Sequence, residues 1–182
     1  MTYGRFFDDF EAGALYQHWP GKTVTEYDHH QFCLLTLVRH PVHTDHQFAR
    51  TATAHGRPLV VGSYVFALLI GLSEADVAGA AMAHRGFDKV EHVAPLFHGD
   101  TLYAESRVLD KHLVDDRPGR GAVELETRGM NQHGTLICRF TRLLEVPRGR
   151  HPLAESGHHP HWPFAGDTVR QLLDQETGHG EP

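Results

Sequence analysis

The segment RPLVVGSYVFALLIGLSEADVAG, Arg57 to Gly79, constrains the fold more than any other part of the chain. Val65, Leu68, Leu69 and Leu72 recur at helical spacing, and the residues between them are apolar as well. The pattern predicts a helix that needs cover on most of its sides. Its start falls at Gly62-Ser63, where the Ser63 hydroxyl suits an N-cap and Gly62 lets another backbone or a ligand come close. The rest of the chain has to wrap this helix.

The segments downstream of the helix can do so. Four runs rich in β-branched and aromatic residues read as strands: Ala83 to Val93, Thr101 to Lys111, Gly121 to Asn131 and Thr135 to Val146. Gln132-His133-Gly134 joins the last two as a hairpin connection. One antiparallel sheet around one long central helix is an α+β architecture, the hot-dog arrangement. Before the helix, Trp19-Pro20-Gly21 reads as a turn, residues 22 to 26 as a strand, and the segment through Phe32 and Leu35 as a short helix or extended piece. Arg39 to Asp45 reads as a loop around Pro41, with Thr44 or Asp45 as N-cap of a short helix. Residues 1–147 are expected to form the hot-dog domain, and 148–182 a tail rich in Pro, Gly and His, with one amphipathic stretch, Thr168 to Gln175.

Composition narrows the function classes. The chain has 182 residues, 22% of them charged, and a formal net charge of -6. Its Lys and Arg residues form no stripe or run, so phosphate neutralisation over a nucleic-acid footprint is not expected. No apolar run approaches the ~20 residues a membrane helix needs. The N-terminal MTYGRFFDDFEAG lacks the basic and apolar regions of a signal peptide. Cys33 and Cys138 lie in apolar sequence without ligand spacing and read as reduced core residues. The expectation is a cytoplasmic protein without nucleic-acid or membrane partners.

The stretch RHPVHTDHQFA, Arg39 to Ala49, places three histidines and an aspartate together. A metal site would need His40, His43 and His46 on one helical face, and Pro41 interrupts the first pair, so no metal is expected. Seventeen histidines make surface placement the ordinary reading for any one of them, including His29, His46, His55 and His84.

The strings LVRHPVHTD, VVGSYVFALLIGL and PLFHGDTLYAESRVLDK together resemble the MaoC-like hydratases, a family of hot-dog enzymes whose active-site string is Asp-x-Asn-Pro-x-His. Pro41 and His43 match its last fixed positions, Gly62 matches the glycine that starts the central helix, and Gly99-Asp100-Thr101 adds to the match. The similarity runs from about Gly4 to Pro147. PGKTVTEYDHHQFCLLTL and the apolar helix resemble, more narrowly, the mesaconyl-CoA hydratase and methylmalyl-CoA dehydratase branch. The chain departs from the pattern where Val38 stands at the family's aspartate and His40 at its asparagine.

The resemblance implies reversible addition of water to a short, branched or dicarboxylic enoyl-CoA. His43 would be the acid/base, the amide of Gly62 the oxyanion donor, and Ser63 and Val38 part of the substrate site. Valine neither donates nor accepts a proton, so a second proton carrier is sought in His40, Asp45 or Asp28, in that order. Asp45 also reads as a helix cap. Coenzyme A enters as part of the substrate, with no separate cofactor, and a homodimer or larger assembly is implied. Val38 leaves two alternatives: an altered enzyme acting on a CoA or carrier-protein thioester in natural-product biosynthesis, or a catalytically weak acyl-CoA-binding protein.

Overall fold

The computed structural model describes residues 3–114 and 118–149; the tail and the expected helix over Thr168 to Gln175 lie outside them. The elements run β1 (Leu15–Thr23), α1 (Glu26–Thr36), α2 (Pro41–Thr44), α3 (His46–Ala52), α4 (Gly62–Ser73), β2 (Ala83–His92), β3 (Thr101–Leu113), β4 (Arg120–Met130) and β5 (Leu136–Pro147). The strands form one antiparallel sheet in the order β1-β3-β4-β5-β2, with α4 packed across it: the hot-dog arrangement. The four expected strands after the helix are present, with ends shifted by no more than two residues. The β4–β5 connection turns at Asn131 to Thr135, where the Asn131 side chain accepts from the amides of His133 and Thr135.

α4 lies against the sheet through Val65 and Leu69, which share a core with Leu96, Leu102, Ile137 and Phe140. It approaches β4 closely at Gly129, where an added Cβ would stand 2.5 Å from Leu69 Cδ2. The absence of a side chain there lets the helix sit down on the strand. Each fully buried aliphatic side chain in this layer contributes about 1.5–3 kcal/mol.

Four expectations are corrected. Trp19-Pro20-Gly21 is not a turn before a strand at 22–26; it lies inside β1, where the register with β3 shifts between His18 and Lys22. β1 is an edge strand, and an edge with a bulge tolerates a residue that has no N–H. Residues 41–44 are helix, not loop, because Pro41 occupies the first turn, where the missing N–H has no intrahelical partner to lose. Ser63 is not the N-cap of α4; Val61 is, and Gly62 opens the helix. Cover is also thinner than the apolar pattern implied: within the single chain only Val65, Leu69 and Ser73 of α4 are fully buried, and Ser63, Ala67 and Gly71 are exposed.

A buried polar layer fixes the far end of α4, and no local pattern announces it. His18 bridges Asp76 (2.8 Å) and Ser106 (2.9 Å), and Ser106 bonds Thr127 at 2.9 Å. Arg142, fully buried on β5, donates to Ser73 Oγ at 2.9 Å, while its Nε and Nη1 have no partner among the described residues. Burial pulls its guanidinium down to about 10, with Glu74 opposing the shift.

Candidate active site

Three segments converge on the start of α4. Leu59–Val61 runs extended into the helix, with Leu59 bridged to Phe97 and the Val60 amide donating to Leu96 O at 3.0 Å. The turn from Leu96 to Asp100 is closed by the Asp100 carboxylate, which accepts from the Phe97 amide at 2.9 Å. Gly99 supplies the left-handed conformation this turn requires, at φ 91°. Its amide and the Asp100 carbonyl pair with Val24 at 2.8 and 2.9 Å. The Gly99-Asp100-Thr101 string thus builds a turn that presents His98. The third segment is α2, which carries His43.

His43 Nδ1 lies 2.7 Å from Leu59 O. A carbonyl only accepts, so Nδ1 carries a proton, and in the neutral ring the lone pair is on Nε2. Three residues on from Leu59, α4 begins. The amides of Tyr64 and Val65 close onto Val61 O, and among the described residues no side chain caps the helix and nothing engages the amides of Gly62 and Ser63. An imidazole and a pair of unengaged amides are therefore fixed to the two ends of one short extended segment.

His29 was expected on the surface and is fully buried. It sits on the inner face of α1, whose start is set by a capping box between Thr25 and Asp28. The Val61 amide donates to His29 Nε2 at 3.0 Å, and His29 Nδ1 donates to His98 Nε2 at 2.8 Å. That pattern admits one arrangement of protons: both rings are neutral and each carries its hydrogen on Nδ1. Burial, reinforced by His98 and His43, pushes His29 down to about 4; burial also lowers His98, with His46 adding to the shift and Glu26 opposing it. His29 is thus an uncharged strut under the start of α4, its ring 6.0 Å from that of His43.

The other expected site residues take structural positions. His40 caps α2, its Nδ1 accepting from the Val42 amide at 3.2 Å, and its ring lies 6.1 Å from His43. Asp45 caps α3 through the Phe48 amide at 2.9 Å rather than orienting His43. Asp28 is engaged by Lys22 at 2.6 Å and by the capping box. Hydrogen bonding to Lys22 and Thr25 holds its carboxyl below the ordinary range. Val38 is half-buried, with its amide bonded to Cys33 O at the left-handed end of α1. It brings no polar side chain to the site. Cys33 and Cys138 are buried free thiols, and burial raises both, Cys138 to about 11.

Glu26, His46 and His98 bring one donor atom each to within 4.8 Å of one another, with His46 Nε2 2.9 Å from Glu26 Oε1. A cation there would need a lone pair from His98. Its lone pair on Nε2 is already taken by His29, and Nδ1 carries the proton, so binding would require reversing the His29 arrangement.

The pattern that defines the family described as mesaconyl-CoA hydratase matches residues 1–169. The chain belongs to this family. Among relatives of the mesaconyl-CoA hydratase family, the chain is 32% identical over 144 residues to a mesaconyl-CoA hydratase from Cereibacter sphaeroides, covering 79% of this chain and 41% of the relative. It is 31% identical over 121 residues to a β-methylmalyl-CoA dehydratase from Chloroflexus aurantiacus, covering 66% and 34%. A crystal structure of a MaoC domain protein dehydratase from Chloroflexus aurantiacus superposes with a TM-score of 0.76 at 25% identity, over 91% of this chain and 45% of that one. The chain spans about two-fifths of the length of the first of these relatives.

The residues around the start of α4 that sequence reasoning missed are His29, His98 and His92, whose ring lies against Gly62. The Thr25–Asp28 capping box was a usable signal for α1, and it would have put His29 and Cys33 on one helical face. His98 and His92 reach the site by long-range pairing, which no local pattern reveals.

Proposed function

We propose that the chain adds water reversibly to a short enoyl-CoA, branched or dicarboxylic, as a mesaconyl-CoA hydratase-like hydro-lyase. The observation that carries this reading is His43 held by Leu59 O with Nε2 free, on the segment that leads into the open amides of Gly62 and Ser63. His43 Nε2 takes a proton from water as the water oxygen bonds the β-carbon. The double-bond electrons move toward the thioester oxygen, which the Gly62 and Ser63 amides and the helix dipole hold. A positioned base contributes about 10²–10⁴-fold and an oxyanion donor about 10²–10³-fold. Coenzyme A is part of the substrate, and no step calls for a separate cofactor.

A second copy, or another hot-dog half, completes the working unit in this reading. The chain covers two-fifths of its relative, and apolar side chains stand exposed along β2 (Phe87, Val90) and α1 (Tyr27, Leu34, Leu35). A homodimer or larger assembly is expected, and light scattering at one-chain mass, 20.4 kDa, at micromolar concentration would refute it. The two buried free thiols suit a reducing compartment such as the cytoplasm. Among the described residues no helix is long and apolar enough to cross a membrane.

Val38 supports a second reading, an altered enzyme acting on another acyl thioester. Turnover on mesaconyl-CoA, methylmalyl-CoA, crotonyl-CoA and carrier-protein thioesters separates the two. Hydration of a CoA substrate that falls by about 10²–10⁴-fold in His43→Ala, with folding intact, is the expected result. Activity confined to carrier-linked substrates selects the second reading, and tight acyl-CoA binding without turnover removes both.

A further inference from the structure

The reaction needs a proton for the α-carbon, and the position where the family string has its aspartate holds Val38. We infer that His92 is the second proton carrier, an assignment that rests on the hydration reading above. His92 ends the edge strand β2, opposite Cys138 of β5, and is exposed. Its ring lies over the Cα of Gly62: a Cβ built there would stand 2.7 Å from His92 Nε2 and 2.8 Å from Cε1. Cβ and amide nitrogen of one residue are about 2.5 Å apart by standard bond geometry, so Nε2 lies within roughly 5 Å of the Gly62 amide. A thioester oxygen on that amide has the α-carbon as its second neighbour along the bonds, which brings the carbon to be protonated near Nε2.

Of the alternatives, His29 has both nitrogens engaged, while His40 commits Nδ1 to capping α2 and keeps Nε2, so the test below includes it. Among the described residues the His92 side chain has no hydrogen-bond or ion-pair partner, so its ring nitrogens are open to exchange protons with water. In hydration, the water oxygen bonds the β-carbon and the water proton goes to His43 Nε2. The double-bond electrons pass to the thioester oxygen and return to form the α-carbon–hydrogen bond with a proton from protonated His92. His43 then holds one proton more and His92 one fewer, and solvent restores both.

The test couples two measurements on His92→Gln, His40→Gln and His43→Gln, each checked for folding by circular dichroism. Crotonyl-CoA hydration is followed first. Exchange of the α-hydrogens of butyryl-CoA in D₂O is followed second, since a saturated thioester cannot be hydrated and reports the α-carbon step alone. His92→Gln is expected to lower both by about 10²-fold or more, whereas His43→Gln lowers hydration with less than a tenfold effect on exchange. Wild-type rates of hydration and exchange in His92→Gln, or loss of exchange in His40→Gln instead, overturn the assignment and leave the hydratase reading standing. A wild-type protein that hydrates no enoyl thioester overturns both.

Discussion

The neutral state of His29 makes the fold sensitive to acid, and the size of the effect follows from its surroundings. In the folded chain burial, reinforced by His98 and His43, pushes the ring down to about 4, and its Nε2 accepts from the Val61 amide. In the unfolded chain it titrates near 6.5. The folded pKa is the lower of the two, so between these values the unfolded state binds more protons and stability falls as pH falls. The loss begins below about pH 6.5, is complete near pH 4, and does not grow further below that. A gap of about 2.5 pKa units corresponds to about 3 kcal/mol. Because His98 accepts the proton of His29, the pair titrates as a unit and the measured loss belongs to both. Urea unfolding at pH 7, 5.5 and 4 reads it out, with His29→Gln as the control: glutamine retains an acceptor for Val61 and a donor for His98 but carries no titrating group. The stability gap between wild type and variant is expected to shift by about 3 kcal/mol in favour of the variant over this range. Parallel curves, with a gap constant to within about 0.5 kcal/mol, would show that the ring is not held neutral.

Other consequences can be checked separately. Gly129→Ala pushes a Cβ into Leu69 and is expected to cost about 1–3 kcal/mol, Leu69→Ala about 2–5 kcal/mol, and the double variant less than their sum; thermal melts of the four proteins test this. Arg142→Met removes a buried charge with two unpartnered nitrogens, so stability in urea should be unchanged or higher, whereas a loss above about 3 kcal/mol would mean the guanidinium is paired. Gly62→Val would strike the His92 ring and crowd the amide beside it, and turnover is expected to fall by about 10²-fold or more. Full turnover in folded Gly62→Val protein would make Gly62 a packing residue only.

How far the sequence disclosed this outcome depends on the element. The helix from Gly62 and the strands after it follow from period and composition, because a helix apolar all round has few alternatives to lying across a sheet. The reading failed where burial and polarity are inverted. In α1 the apolar Tyr27, Leu34 and Leu35 are exposed while His29 and Cys33 are buried, so hydrophobicity points to the wrong face. It failed also at proline, since Pro20 and Pro41 occupy positions where a missing N–H is tolerated, an edge strand and a first helical turn. Around the start of α4, His43 was singled out because it lies in a short string with Pro41. The partners that set its surroundings come from a turn and a strand end roughly fifty residues away, and sheet register brings them together.

The two rims of the sheet differ. Along β1, Pro20 removes a donor and the ladder slips between His18 and Lys22, so a further strand meets an interrupted row of groups. β2, at the opposite rim, also shifts register against β5, yet it contains no proline and keeps every N–H. Joining through β2 about a twofold axis uses up the more receptive rim of each copy and leaves the one that lacks a donor at both outer boundaries. Growth by strand addition would then terminate after a single step, so the proposed dimer would be kept from becoming a filament.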